Sequence, residues 1–332
     1  MIGLLALALL VQTQTSYHLE GRIPLAGEGG WDYLSVDTAA HRLYVSRGTH
    51  VAVIDLDRDS VIGDIPNTNG VHGIAFVHEL NRGYTSNGRD TTVTVFDLKT
   101  LATLSAVKVT GANPDAITYD PVSRRVFTFN GRGSNATAID PKSGKVVGTL
   151  DLGGKPENAV SDGRGHMYVN IEDKSEIVAF DPKKLKVQGR WSLAPCEEPS
   201  GLAMDRRARR LFAVCSNALM AVVDPDHGRV IATLPIGNGT DGAAFDPARG
   251  LAVSANGEGT MTLVHEESPD SFRVVATVET QRGGRTIALD ERTHRLYTVA
   301  AQYGEAPAPT PDRPRPRPPI IPGSVVVVIV SP

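Results

Sequence analysis

The feature that most constrains this chain is a repeat. The segment HRLYVS (His41–Ser46) returns near the far end as HRLYTV (His294–Val299). Between them stand NRGYTS (Asn81–Ser86), RRVFTFN (Arg124–Asn130), GHMYVN (Gly165–Asn170), RRLFAV (Arg209–Val214) and RGLAVS (Arg249–Ser254). A short apolar run ending in or near Asp precedes each, as in YLSVD, AITYD, GLAMD, GAAFD and TIALD. Another run follows, as in VAVIDL, VTVFDL, ATAIDP, IVAFDP and MAVVDP, and most repeats add a fourth, such as KVVGTLDL or RVIATLPI. Matching positions, Asp32, His72, Asp115, Glu157, Ser200, Asp241 and Arg285, lie 40 to 44 residues apart. Four short strands at that period are the signature of a propeller blade. Apolar–polar alternation and Gly, Asn and Asp-Pro punctuation agree with strands and tight turns. The expectation is an all-β, seven-bladed β-propeller with four antiparallel strands per blade.

Ring closure is also legible. The last repeat has three strand runs, TIALD, RLYTVAA and GSVVVVIV, and then stops. Ahead of the first repeat, Tyr17-His-Leu-Glu-Gly-Arg-Ile-Pro-Leu25 resembles the fourth runs elsewhere. An N-terminal strand that completes the last blade removes both open ends of the array. An open solenoid would need distinct capping repeats, and none is evident.

The run Met1–Val11 is apolar, too short to span a bilayer as a helix, and of signal-peptide length. Residues 1–15 are therefore expected to be a signal peptide, residues 16–332 one propeller domain, and the protein periplasmic or secreted. No later run has the length of a membrane span, and VVVVIV (Val325–Val330) is strand-sized. Formal net charge is −3 with 34 basic and 37 acidic residues, without the global basic excess of a nucleic-acid or membrane-surface binder. The repeat sets Cys196 before the innermost strand of the fifth blade and Cys215 at the end of the next strand. A disulfide is the favoured reading, with free thiols the alternative.

The cores HRLYVS and GHMYVN, each ahead of a strand ending in Asp-Leu or Asp-Pro, resemble those of the YVTN-repeat, YncE-like propellers. GGWDYLSVD and PRPRPPIIPGS are similar to segments of that family, and the likeness runs from residue 17 to 332. It implies an exported, WD-like repeat propeller. Some such relatives bind nucleic acid or small ligands, and related seven-bladed folds include lactonases and lyases. Fold alone does not transmit function.

In a propeller the innermost strands line a central channel, and one residue per blade rings its mouth. Here that ring is Asp32, His72, Asp115, Glu157, Ser200, Asp241 and Arg285, joined from the second-strand ends by Asn87, Asn130, Asn170, Asn217 and Asn256. The expected ligand-binding residues are Asp32, His72, Asp115, Glu157, Asp241, Arg285, Asn130, Asn170 and Asn256. A divalent metal could be held by Asp32, His72, Asp115, Glu157 and Asp241, since hard cations take oxygen donors and His with carboxylates suits Zn²⁺ or Mn²⁺. The alternative for Arg285 is a simple ion pair with Asp32, its ring neighbour. The segment Ala306–Pro322 falls between the second and third strands of the last blade. Its prolines favour polyproline II, as a flap carrying Arg313, Arg315 and Arg317, a partner site or a solvated insertion.

Several motif matches carry nothing. Gly237–Gly242 fits G-x-G-x-x-G but no helix follows to hold a pyrophosphate, and Gly131–Ala136 fails likewise. Asp55–Asp59 opens like a calcium loop but has Ser60 and Pro66 where Gly and Glu are required. Three functions follow. The first is an exported, monomeric binding propeller that takes a small molecule or protein at the mouth. The second is a metal-assisted hydrolase or lyase with His72 as general base. The third is nucleic-acid binding, which the acidic mouth would repel and a basic patch such as Arg206, Arg207, Arg209 and Arg210 would have to support.

Overall fold

A computed structural model describes residues 17–27, 29–310 and 316–332. The leader expected at 1–15 lies outside these, as do Arg313 and Arg315. Seven four-stranded antiparallel sheets follow one another around a ring. The innermost strands are Leu34–Asp37, Val71–Val77, Pro114–Asp120, Pro156–Ser161, Pro199–Asp205, Thr240–Asp246 and, in the seventh blade, Ala288–Leu289. The only helices among the described residues are two single 3-10 turns, His78–Leu80 and Glu172–Lys174.

The ring closes as the repeat predicts. The N-terminal strand His18–Pro24 is the outer strand of the seventh blade, paired with Val326–Ser331 from His18↔Ser331 to Pro24↔Val326. One expectation needs correction. TIALD does not pair over its whole length, and only Ala288 and Leu289 hydrogen-bond to Tyr297 and Leu296. Arg-Gly-Gly-Arg just before it includes Gly283 in the left-handed region, φ +94°. Thr286 turns away from its own blade and donates its hydroxyl to the Asp32 carbonyl of blade one, 2.7 Å away.

The core is seven apolar clusters, one between each pair of neighbouring blades. The cluster between blades three and four, for example, joins Phe127 and Phe129 to Met167, Val169 and Phe180. Second and third strands are buried on both faces, whereas outer strands such as Lys186–Ser192 show every residue at least partly to solvent. A blade alone would leave two apolar faces wet, so the repeat must close.

The polar residues of the repeated motif tie the blades together. Its first residue occupies the left-handed region, as His41, Arg209 and His294 do. From there the side chain reaches the preceding blade: His41 to Asp290 at 2.9 Å, Arg209 to Asp162 at 3.3 Å, His294 to Asp246 at 2.8 Å. The second residue reaches the following blade: Arg42 donates to Leu98 O, Arg82 to Pro141 O, Arg125 to Pro182 O and Arg210 to Pro269 O. Three arginines of the Arg206–Arg210 cluster are engaged in this way: Arg206 donates to Ser161 O, Arg209 pairs with Asp226 and Arg210 donates to Pro269 O.

Candidate functional site: the channel mouth

Each ring residue sits just before or within the start of its innermost strand, and in blades two to six the ladder with the second strand is locally irregular there. The serine closing the second strand fixes the backbone there. Ser46 Oγ accepts from Asp32 N at 2.9 Å, and Ser86 Oγ accepts from Gly73 N at 2.9 Å while donating to Asp115 O. The final Ser of HRLYVS and NRGYTS thus holds up the mouth.

Three consecutive blades bring Asp32, His72 and Asp115 together. His72 Nδ1 stands 2.5 Å from Asp32 Oδ2 and 3.6 Å from Asp115 Oδ1. Next around the ring, Lys155 Nζ lies 2.8 Å from Glu157 Oε1 and also pairs with Glu172. On the far wall Arg285 Nε lies 3.1 Å from Asp241 Oδ2. The pairing of Arg285 with Asp32 is therefore corrected: the ion-pair partner is Asp241, from the preceding blade. Ser200 turns its hydroxyl to Thr240 O at 3.4 Å, knitting blade five to blade six.

The asparagines do not face the mouth. Asn87, Asn130, Asn170 and Asn256 are wholly buried. Asn130 Nδ2 donates to Asn135 Oδ1 at 2.7 Å and Thr137 Oγ1 at 3.0 Å, while its Oδ1 accepts from Thr128 at 3.0 Å. Asn87 and Asn256 repeat that circuit with Thr85, Thr92 and Thr94, and with Ser254, Thr260 and Thr262. Asn170 instead clamps the Ser200 and Gly201 carbonyls of the next blade. The side chains of Asn87, Asn130 and Asn256 are spent on the buried turn, whereas Asn170 keeps a buried Oδ1 without a hydrogen bond. Asn217 holds the loop before blade five through Pro195 O at 2.8 Å and Glu197 N at 3.2 Å.

Charge density sets the electrostatics. Five carboxylates, Asp32, Asp115, Glu157, Glu172 and Asp241, share this space with His72, Lys155 and Arg285. Burial, together with the Asp32 and Asp241 charges, pushes the Asp115 carboxyl up to about 7 against the pull of His72. Burial and Asp115 push Glu157 up to about 8 despite Lys155. Burial raises Asp241 to about 6, with Arg285 opposing. Burial would lower the His72 pKa, but its hydrogen bond to Asp32 and the Asp115 and Glu157 charges prevail and hold it at about 9. Carboxyls displaced this far upward can take up or release a proton near neutral pH.

Tyr33, Lys155 and Glu172 escaped the sequence reading. Tyr33 belongs to blade one yet packs against the apolar cluster of blades three and four, so its side chain reaches across the channel near the mouth carboxylates. Burial and the charges of Asp115, Glu157, Asp32 and Asp241 hold its phenol well above its ordinary range. Its place beside Asp32 in GGWDYL was the available signal. For Lys155 the signal was its position two residues before Glu157.

The Pro-rich segment is pinned at its base. Gly304 N donates to Pro319 O and Ile321 N to Gln302 O, both at 2.9 Å, and Ile320 packs on the core between blades seven and one. Tyr303 at its start lies near enough to Arg285 to favour that residue's charge. On the same face Cys196 and Cys215 form a disulfide with Cα atoms 5.7 Å apart. Among the described residues no helix is long and apolar enough to cross a membrane.

No family model and no curated protein sequence matches the chain. Solved structures do. Hydrazine synthase of Kuenenia stuttgartiensis superposes with TM-score 0.71 at 15% identity, over 82% of this chain and 94% of that one. U3-55K and the WD40 repeats of RRP9 each superpose with TM-score 0.77 at 8% identity, over 93% of this chain and 97% of theirs. At these identities the likeness is one of fold: the chain is a seven-bladed β-propeller.

Proposed function

We propose that this protein is a ligand-binding propeller of the YVTN-repeat type and that its channel mouth takes a small ligand of cationic character. One observation carries the reading: Asp115, Glu157 and Asp241 gather in one mouth beside Asp32 and Glu172, where burial first and neighbouring negative charge second drive each of the three carboxyls upward, while only His72, Lys155 and Arg285 oppose them. A positive ligand relieves that repulsion, and an anion adds to it. The same charge disfavours a nucleic-acid strand in the channel. The Cys196–Cys215 disulfide and the apolar N-terminal run support export to the periplasm or the medium. A second reading, hydrolysis or lyase chemistry at the same ring, is favoured by the raised Asp115 and Glu157 carboxyls, which can donate protons near neutral pH.

The experiment is a thermal-shift and calorimetric screen of the full chain against small cations: putrescine, spermidine, choline, arginine and divalent metals. At least one should raise the melting temperature, and the double variant Asp115→Asn/Glu157→Gln should abolish the gain. A panel without effect, or a gain untouched by the double variant, overturns the reading.

A further inference from the structure

We infer that Asp32, His72 and Asp115 form a binding site for one divalent first-row transition ion, with Zn²⁺ and Co²⁺ preferred to Ca²⁺ and Mg²⁺. The inference rests on the cationic reading of the mouth and narrows it to three consecutive blades. Their ligand atoms all lie within 4.8 Å of one another. In a tetrahedral site, donors about 2.0–2.2 Å from Zn²⁺ stand roughly 3.3 Å apart. The separations of 2.5 Å and 3.6 Å around His72 Nδ1 bracket that spacing, so a side-chain adjustment of under about 1 Å admits the ion.

The donors are held by the fold. Asp32 is fixed from two sides, by Ser46 through its amide and by Thr286 through its carbonyl. Ser86 of the second blade binds the Asp115 carbonyl. The opposite edge of the His72 ring faces Gly88, where an added Cβ would meet His72 Nε2 at 2.5 Å and Asn113 Oδ1 at 2.9 Å. Only glycine leaves room for the imidazole to present Nδ1 to the carboxylates.

The donor set decides the metal. One imidazole and two carboxylates make a mixed N/O site with borderline softness, whereas Ca²⁺ and Mg²⁺ favour oxygen-only shells with six or more donors. Two carboxylates balance the charge of a divalent ion. Glu157 is already engaged by Lys155, and Asp241 by Arg285. The remaining coordination positions therefore face the open mouth.

The test uses the full chain after chelator treatment, titrated with Co²⁺ by visible absorption and with Zn²⁺ and Ca²⁺ by calorimetry. The expected result is one equivalent of Co²⁺ with d–d bands of a nitrogen–oxygen site, displaced by Zn²⁺ and not by Ca²⁺. Asp32→Asn, His72→Ala and Asp115→Asn should each weaken binding by more than the roughly 10–100-fold of a second-shell change. Gly88→Ala, which removes no donor, should also weaken it. His227→Ala, which removes an exposed imidazole 2.6 Å from Asp224 on the other face, should leave it intact. Circular dichroism of each variant separates lost binding from lost folding, and near-isosteric Asp115→Asn serves if His72→Ala does not fold. Absent Co²⁺ binding, equal preference for Ca²⁺, or binding removed by His227→Ala and not by Asp115→Asn overturns the inference. If spermidine or another organic cation still binds in an Asp115-dependent way, the metal site fails and the cationic mouth stands. If neither class binds, both fall.

Discussion

His41 Nε2 of the first blade and Asp290 Oδ2 of the last stand 2.9 Å apart across the seam where the ring closes, and both side chains are buried. The other face of the imidazole, Nδ1, is 2.8 Å from Asp57, so one side chain joins the first blade's outer turn to the last blade. Asp290 also accepts from Thr293 at 2.6 Å, and with burial opposing, these hydrogen bonds lower its carboxyl pKa. Removing His41 leaves a buried carboxylate short of a partner. His41→Ala should cost about 2–4 kcal/mol in denaturant unfolding. A loss below about 0.5 kcal/mol would mean that the seam is held by strand pairing alone.

The Cys196–Cys215 bridge closes a loop with a sequence separation of 19. Chain entropy assigns such a loop about 3 kcal/mol. Cys196→Ser/Cys215→Ser should lose about that amount, and a reducing agent should produce the same loss in the native chain. Unfolding curves with and without reductant decide it.

The mouth makes stability fall with pH. Asp115 at about 7 and Glu157 at about 8 bind protons more tightly folded than unfolded, so their contribution is full below pH 4 and is lost as pH rises through those values. His72 acts in the same sense, full below 6.5 and lost through about 9. Depressed carboxyls such as Asp162 and Asp290 act oppositely, at lower pH. Between pH 5.5 and 8.5 the ligand-free melting temperature should therefore drop. Glu157→Gln should shrink the drop by at least about 2 °C. An unchanged drop would show that the mouth carboxyls titrate normally.

Asn130 separates architecture from ligand contact. Its three hydrogen bonds, two of them fully buried, predict that Asn130→Ala costs about 2–4 kcal/mol. Metal or amine affinity, measured well below the melting temperature, should change less than about threefold, a shift of under 1 kcal/mol. Intact stability with lost affinity would return Asn130 to the mouth.

The repeat of HRLYVS and its relatives determined the blade number, the strand order within blades and the closure of the last blade by Tyr17–Leu25. These follow from local pattern: strands alternate, turns carry Asp and Gly, and a blade with two apolar faces must have two neighbours. The same spacing brought Asp32, His72 and Asp115 to one end of the channel, because each occupies the same place in its repeat. Only the tertiary structure decided what those side chains do. Asn130 and Asp115 are both polar residues at strand ends in one blade, yet one turns into the buried loop and the other into the channel. Arg285 chose Asp241 over Asp32, and Tyr33 reached across to blades three and four. Such choices depend on the channel width and on side-chain directions set by neighbours 40 or more residues away, where local pattern carries no information.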